Sequence, residues 1–238
     1  MGKAVTAAVN SNDDMQIVAG IDIFGENDGG YPVYNSISEI KEEADVVIDF
    51  SNPAAFDSLI AGCVSKKLPI IACTTGLSKE QVEAIHEAAK VIPVFYSGNM
   101  SIGVNLLIEL SKTAAKFLGD SFDIEIIEAH HNQKVDAPSG TALMIADAIS
   151  SQLDGDIDYE YNRQPKREKR SRNEIGIHSV RGGTITGEHE VIFAGNDEII
   201  KISHSARSKA LFATGAINAA AFIKDKEPGL YSMSDMLK

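Results

Sequence analysis

The chain has 238 residues, 44% hydrophobic and 24% charged, a length and balance that suit one large or two small globular domains. Its 22 basic and 34 acidic residues leave a net charge of −12. A field of that sign disfavours nucleic acid or an anionic membrane as the main partner, yet allows a small anionic ligand in a local positive pocket.

The chain opens on a helix, Lys3 to Val9, followed by a strand from Met15 that ends in the acidic Asp22. Residues 37–44 read as a short polar helix and "DVVIDFS" (45–51) as a β-branched strand of the kind buried in parallel sheets. A helix over 53–67 starts at Pro53, "LPIIACTT" (68–75) is a strand, Ser78 opens a helix over 78–90, and "VIPVFYS" (91–97) is a strand. Strands alternating with helices of this length predict an α/β, Rossmann-like doubly wound parallel sheet. After Gly98 the pattern changes. A long helix (102–118) precedes a strand (122–131) and a helix (139–153), then a basic segment, "RQPKREKRSRNE" (163–174), that reads as a solvated loop. Segments 175–183, 189–196 and 198–206 read as antiparallel strands joined by glycine-containing turns, and a helix over 210–226 closes the fold.

Cys63 and Cys73 lie in apolar runs without CxxC spacing, which argues against a disulfide framework or zinc site and for a reducing cytoplasm. No run approaches the roughly 20 apolar residues of a membrane span, and the first residues lack the pattern of a secretory signal.

In an open parallel sheet, ligands bind beyond the carboxyl ends of the strands. Asp22 stands at one such end, where an acid can accept hydrogen bonds from a ribose. "CTTG" (73–76) and "SGNM" (97–100) end two others with turns that let backbone approach a cofactor. The densest constellation is "EAHHNQKVDAPSGTA" (128–142). His130, His131 and Lys134 follow a strand, and Ser139, Gly140 and Thr141 open a helix whose free N–H groups suit a carboxylate or phosphate. Histidine supplies acid–base capacity near neutral pH. Adjacent histidines on a strand point apart, and no acidic pair is placed for a metal. The cluster therefore reads as carboxylate recognition plus proton transfer without a metal.

This segment closely resembles the signature of the 4-hydroxy-tetrahydrodipicolinate (dihydrodipicolinate) reductase family of the diaminopimelate–lysine pathway. "VIDFSNP", "IIACTTGLS", "GNMSIGVN", "HSVRGGTITGEHEV" and "LFATGA" extend the resemblance over essentially the whole chain. It implies a dinucleotide-binding domain (1–101 and 208–238) and an α+β domain with a mixed sheet for substrate binding and tetramerisation (102–207). It further implies NAD(P)H-dependent reduction of a cyclic dicarboxylate by a cytoplasmic homotetramer. His130 and Lys134 would be catalytic, and His131, Ser139, Gly140 and Thr141 would bind substrate. Gly2, Asp22, Cys73, Thr74, Thr75, Ser97, Gly98, Asn99 and Met100 would bind cofactor. Cys73 departs from the glycine that the family carries there. The acid at position 22, followed by Ile23 and Phe24 where an NADPH-preferring member supplies a basic residue, points to NADH, with use of NADPH open.

Met1-Gly2 match the last pair of the family's glycine-rich turn, so the first strand and most of that turn are expected upstream of the chain as written. That leaves a late-placed start, a fragment without activity, or a chain that tolerates the loss. Among other classes, a related homoserine or aspartate-semialdehyde dehydrogenase does not account for the His-His-x-x-Lys cluster. A non-catalytic dinucleotide-binding sensor would not need a proton donor.

Overall fold

The computed structural model describes residues 1–25 and 30–237. The chain divides into two compact units, Met1–Ile102 with Ala210–Lys238, and Gly103–Lys209.

In the first unit, helix α1 (Gly2–Asn10) packs on α6 (Ala210–Ile223). Strands β1 (Gly20–Ile21) and β2 (Val33–Tyr34) form a two-stranded parallel ladder. A separate four-stranded parallel sheet has the order β11 (Gly229–Tyr231), β5 (Pro93–Tyr96), β4 (Ile70–Ala72), β3 (Val47–Asp49). Its strands are apolar on both sides because both faces are covered. Ile70, Ala72 and Val94 face a core built with α2 (Pro53–Lys66) and α3 (Lys79–Ala88), where Phe56 and Ile85 are fully buried. Ile71 and Phe95 face the opposite core with α6 and α7 (Met233–Met236). There Phe222 meets Phe95 and Tyr231 edge-on, with centroids 6.3 and 5.9 Å away.

Local chemistry sets the helix ends. Asn52 Oδ1 accepts from Ala54 N at 3.0 Å ahead of Pro53, and Lys67, at φ 56°, ends α2. Ser78 and Gln81 form a reciprocal capping box on α3, and Gln81 Nε2 donates to Pro53 O at 2.7 Å, tying the starts of the two helices together. Gly215 is demanded by packing, since a Cβ there would fall 1.7 Å from the Met100 carbonyl oxygen.

In the second unit, α4 (Ile102–Leu118) and α5 (Gly140–Ser150) cover one face of a mixed sheet. Its order is β10 (Ile199–Ala206), β9 (Gly187–Ala194), β6 (Asp123–His130), β8 (Glu174–Arg181), β7 (Asp158–Glu160). The helices present Val104, Leu107, Ile108 and Ala142, Ile145, Ala146, Ile149 at helical spacing against Ile124, Ile126, Ile175, Ile177, Val191 and Phe193.

Several sequence expectations are corrected. The strand read over 15–21 forms a ladder only at Gly20 and Ile21. The helix over 37–44 is a single 3-10 turn, Ile37–Glu39; Glu42 instead accepts from the Tyr34 hydroxyl and the Lys41 N–H, competing with helix formation. Segments 175–183 and 189–196 do not pair with each other, because β6 lies between them, parallel to β8 and antiparallel to β9. The α5-containing connection supplies the crossover that a parallel pair requires. The chain does not close on the helix over 210–226, since β11 and α7 follow it. The basic segment is largely exposed, as a solvated loop should be, but three of its side chains are tethered: Arg170 donates to Asp123, Glu125 and the Ile124 carbonyl, and Arg163 and Lys166 pair with Glu174 and Glu160.

Candidate active site

The alternation of strand residues explains where the densest site lies. On β6, Ile124 and Ile126 face the core, and the same parity brings Glu128 and His130 to that face at the strand's end. On β8 the parity of Ile175 and Ile177 leads to Ser179 and Arg181. On β9 the parity of Phe193 and Val191 leads to His189 and Gly187. Register places His130 beside Arg181 and Glu128 beside His189. One end of an apolar sheet face thus becomes polar on three adjacent strands.

Glu128 is fully buried and surrounded by hydrogen-bond donors. Arg181 Nη1 reaches Oε2 at 2.8 Å and Nη2 reaches Oε1 at 2.7 Å. Ser139 N donates to Oε1 at 3.1 Å, and His130 Nδ1 lies 2.6 Å from Oε2. Burial alone would raise the carboxyl's pKa; hydrogen bonds from Arg181, His130 and Ser179 outweigh it and hold the group at about 2. Arg181 also donates to the Asp136 carbonyl at 2.7 Å, fixing the loop that carries Lys134. His189 is buried, stacks edge-on to His130 with centroids 5.3 Å apart, and its Nε2 meets Ser139 Oγ at 3.0 Å. Burial first, then the nearby His130, His204 and Lys134 against an opposing pull from Glu128, lowers His189 to about 4, so it is neutral at physiological pH. On β10, burial also lowers the His204 pKa.

The sequence candidates around this end are brought together. His130 is largely buried, with 12% of its side chain exposed. His131 lies half-buried in the turn after β6, where its carbonyl accepts from Lys134 N at 3.1 Å. Lys134 Nζ sits 2.8 Å from Asp136 Oδ1. Ser139 caps α5, its Oγ accepting from Ala142 N at 3.2 Å. Gly140 is exposed, with open space where a Cβ would project, and Thr141 follows on the first turn. Ser139 N and Ala142 N are already engaged by Glu128 and by Ser139 Oγ, so an anion at this helix start would meet the exposed Gly140.

Three further residues of this constellation, Glu128, Arg181 and His189, escaped the sequence reading. Their signal was there: each continues, two residues at a time, an apolar strand face that ends in polar side chains.

The cofactor candidates lie in the other unit. Register puts Asp49, Ala72 and Tyr96 level, so the loops after β3, β4 and β5 emerge from one edge of the parallel sheet. Cys73 and Thr74 are buried; Cys73 N donates to Asp49 O at 2.9 Å and Thr74 Oγ1 to Asp49 Oδ2 at 2.8 Å. Burial pushes the Cys73 thiol's pKa well above its ordinary range, which makes it an inert side chain. Thr75 is exposed and Gly76, at φ 75°, turns the chain into α3. Ser97 Oγ donates to Asn99 O at 3.0 Å, Gly98 is exposed, and Met100 is buried. Asp22 is exposed directly after β1, its Oδ1 accepting from Phe24 N at 2.9 Å. Gly2 opens α1 at an exposed position.

Residues 1–100 match the family model described as dihydrodipicolinate reductase, N-terminus, and residues 103–237 that of its C-terminus. The chain is 53% identical to the 4-hydroxy-tetrahydrodipicolinate reductase of Caldanaerobacter subterraneus subsp. tengcongensis, and the alignment covers 100% of this chain and 94% of that protein. It is 49% identical to the enzyme of that name from Clostridium novyi, with the same coverage. Its fold is similar to that of a dipicolinate-bound dihydrodipicolinate reductase from Paenisporosarcina sp. TG-14. That likeness has a TM-score of 0.78 and 24% identity, covering 97% of this chain and 92% of that one. A probable dehydrogenase from Thermotoga maritima shares the fold more distantly, with a TM-score of 0.58 and 13% identity over 99% of this chain and 89% of that one. The chain belongs to the dihydrodipicolinate reductase family of oxidoreductases.

Proposed function

We propose that this chain catalyses the nicotinamide-dependent reduction of 4-hydroxy-tetrahydrodipicolinate to tetrahydrodipicolinate, a step of diaminopimelate and lysine biosynthesis. The observation that carries this reading is the convergence of His130, Lys134 and the open Ser139–Gly140–Thr141 helix start at one polar end of the mixed sheet. A cyclic dicarboxylate matches that donor set: a cation and the exposed helix start at Gly140 for carboxylates, and an imidazole to move a proton.

The donor chemistry in the first unit fits a dinucleotide. Exposed turns at Thr75–Gly76 and Ser97–Gly98 offer main-chain groups, and Asp22 offers a carboxylate to a ribose diol. Cys73, Thr74 and Met100 would act through their backbone, since their side chains are buried. When bound, the reduced nicotinamide supplies the hydride. Ile23 and Phe24, exposed beside Asp22, provide no cation for a 2′-phosphate, which favours NADH over NADPH. Lys134 stabilises the negative charge that builds on the substrate ring, and His130 with Lys134 returns a proton to it. His131, Gly140 and Thr141 orient the carboxylates. On this reading Met1–Ile102 with Ala210–Lys238 is the dinucleotide unit and Gly103–Lys209 the substrate and tetramerisation unit of a cytoplasmic homotetramer. Among the described residues no helix is long and apolar enough to cross a membrane.

Lys134→Ala tests the assignment. Turnover falls about 100-fold or more while NADH binding, followed by nicotinamide fluorescence, changes by less than about threefold. Equal loss of both contradicts the role given to Lys134.

A further inference from the structure

We propose that Glu128 is a positioning residue for His130: it fixes the neutral imidazole with its proton on Nδ1, so that Nε2 is the ring nitrogen presented to substrate. The consequence for turnover rests on the reductase reading; the tautomer itself does not.

The partners of Glu128 decide the direction of the 2.6 Å contact. The Arg181 guanidinium and the Ser139 backbone N–H can only donate, and between them they engage both carboxylate oxygens. Such a carboxylate stays ionised and can only accept, so His130 Nδ1 is the donor. Nε2 then carries a lone pair when the ring is neutral and a proton when it is charged. Among the described residues Nε2 has no hydrogen-bond partner. Its neighbour on β9 is Gly187, where an added Cβ would lie only 3.1 Å away. The charged or titratable groups around the pair include Arg181 on β8, neutral His189 on β9, His204 on β10, and Lys134 with its partner Asp136 in the loop after β6. None of them competes for Nδ1.

The same carboxylate registers two functions against each other. Oε2 holds the acid–base residue at the end of β6, and Oε1 holds the N-cap of α5, whose first turn is the proposed carboxylate cradle. Glu128 thus sets both the tautomer of His130 and its placement relative to that cradle.

The substitution Glu128→Gln is diagnostic because of how its amide must orient. With the amide oxygen at the Oε1 position, it accepts from Arg181 Nη2 and Ser139 N, and the NH₂ opposes only Arg181 Nη1. In the other orientation the NH₂ opposes two donors, Arg181 Nη2 and Ser139 N. The first arrangement wins and turns an N–H toward His130 Nδ1, which forces the proton onto Nε2.

The test is the nitrogen spectrum of isotope-labelled histidines in the full chain, with His130 assigned by its loss in His130→Asn. The expected wild-type signal shows a protonated Nδ1 and a bare Nε2. In Glu128→Gln the pattern reverses, and kcat falls at least about tenfold while NADH binding stays within about twofold. A neutral wild-type His130 protonated at Nε2 with a bare Nδ1 overturns the proposal, and so does Glu128→Gln with an unchanged kcat. The wild-type spectrum requires no Glu128 variant to fold and no activity. A correct tautomer in a chain without reductase turnover would therefore refute the functional reading and uphold the tautomer.

Discussion

Replacing Arg181 by Met removes one partner of a buried ion pair while keeping most of the apolar stem in place. Glu128 has no exposed side-chain surface and Arg181 only 19%, so the carboxylate left behind cannot recover hydration. Burial pushes that carboxyl upward, and the hydrogen bonds led by Arg181 bring it down to about 2 from an ordinary 4.5. That difference corresponds to about 3 kcal/mol favouring the folded state with Glu128 charged. Because the folded group is the stronger acid, this stabilisation is complete above pH 4.5 and is lost as pH falls toward 2. Losing one member of a buried pair carries a similar cost, roughly 3–5 kcal/mol. Urea unfolding of both proteins, followed by far-ultraviolet circular dichroism at one fixed concentration, measures it. At pH 7 the variant should be about 3 kcal/mol less stable, and by pH 3 the gap should shrink by at least about half. A gap that does not change with pH, or one below about 1 kcal/mol at pH 7, would refute the claim that Arg181 holds Glu128 charged.

Two glycines yield further expectations. Gly187→Ala places a methyl 3.1 Å from His130 Nε2; kcat should fall roughly tenfold with stability changed by less than about 1 kcal/mol, read by steady-state kinetics and urea unfolding. Gly215→Ala drives a Cβ to 1.7 Å from the Met100 carbonyl, which is backbone and cannot swing aside. It should cost about 3 kcal/mol or more and lower the thermal midpoint, whereas a wild-type midpoint would contradict the close approach of α6 to that carbonyl.

The sequence carried the helices well, because their signals are local. Pro53, Ser78 and Ser139 each stand at a helix start where the sequence places one, and the structure adds Asn52 and Gln81 as capping partners. Pairing was harder to see. Nothing within residues 175–206 says that β6, some fifty residues upstream, lies between β8 and β9, because strand order is decided by contacts distant in sequence. The three-residue strands β7 and β11 are too short to show a period. In the site, His130, Lys134 and Ser139 were legible as a motif in one short segment. Arg181 and His189 lie about fifty residues away, and only register brings them to Glu128. The same is true of Arg170, which reads as part of a charged loop until its partners on β6 are known.

The central claim is that this chain is a working dicarboxylate reductase, and its most direct test is turnover by the purified 238-residue protein. Freshly generated 4-hydroxy-tetrahydrodipicolinate is supplied with NADH, and loss of the reduced nicotinamide's absorbance is followed. The expected result is saturable oxidation of NADH that depends on the dicarboxylate, with Lys134→Ala slower by about 100-fold or more. A folded chain that binds NADH and substrate yet oxidises none would contradict it.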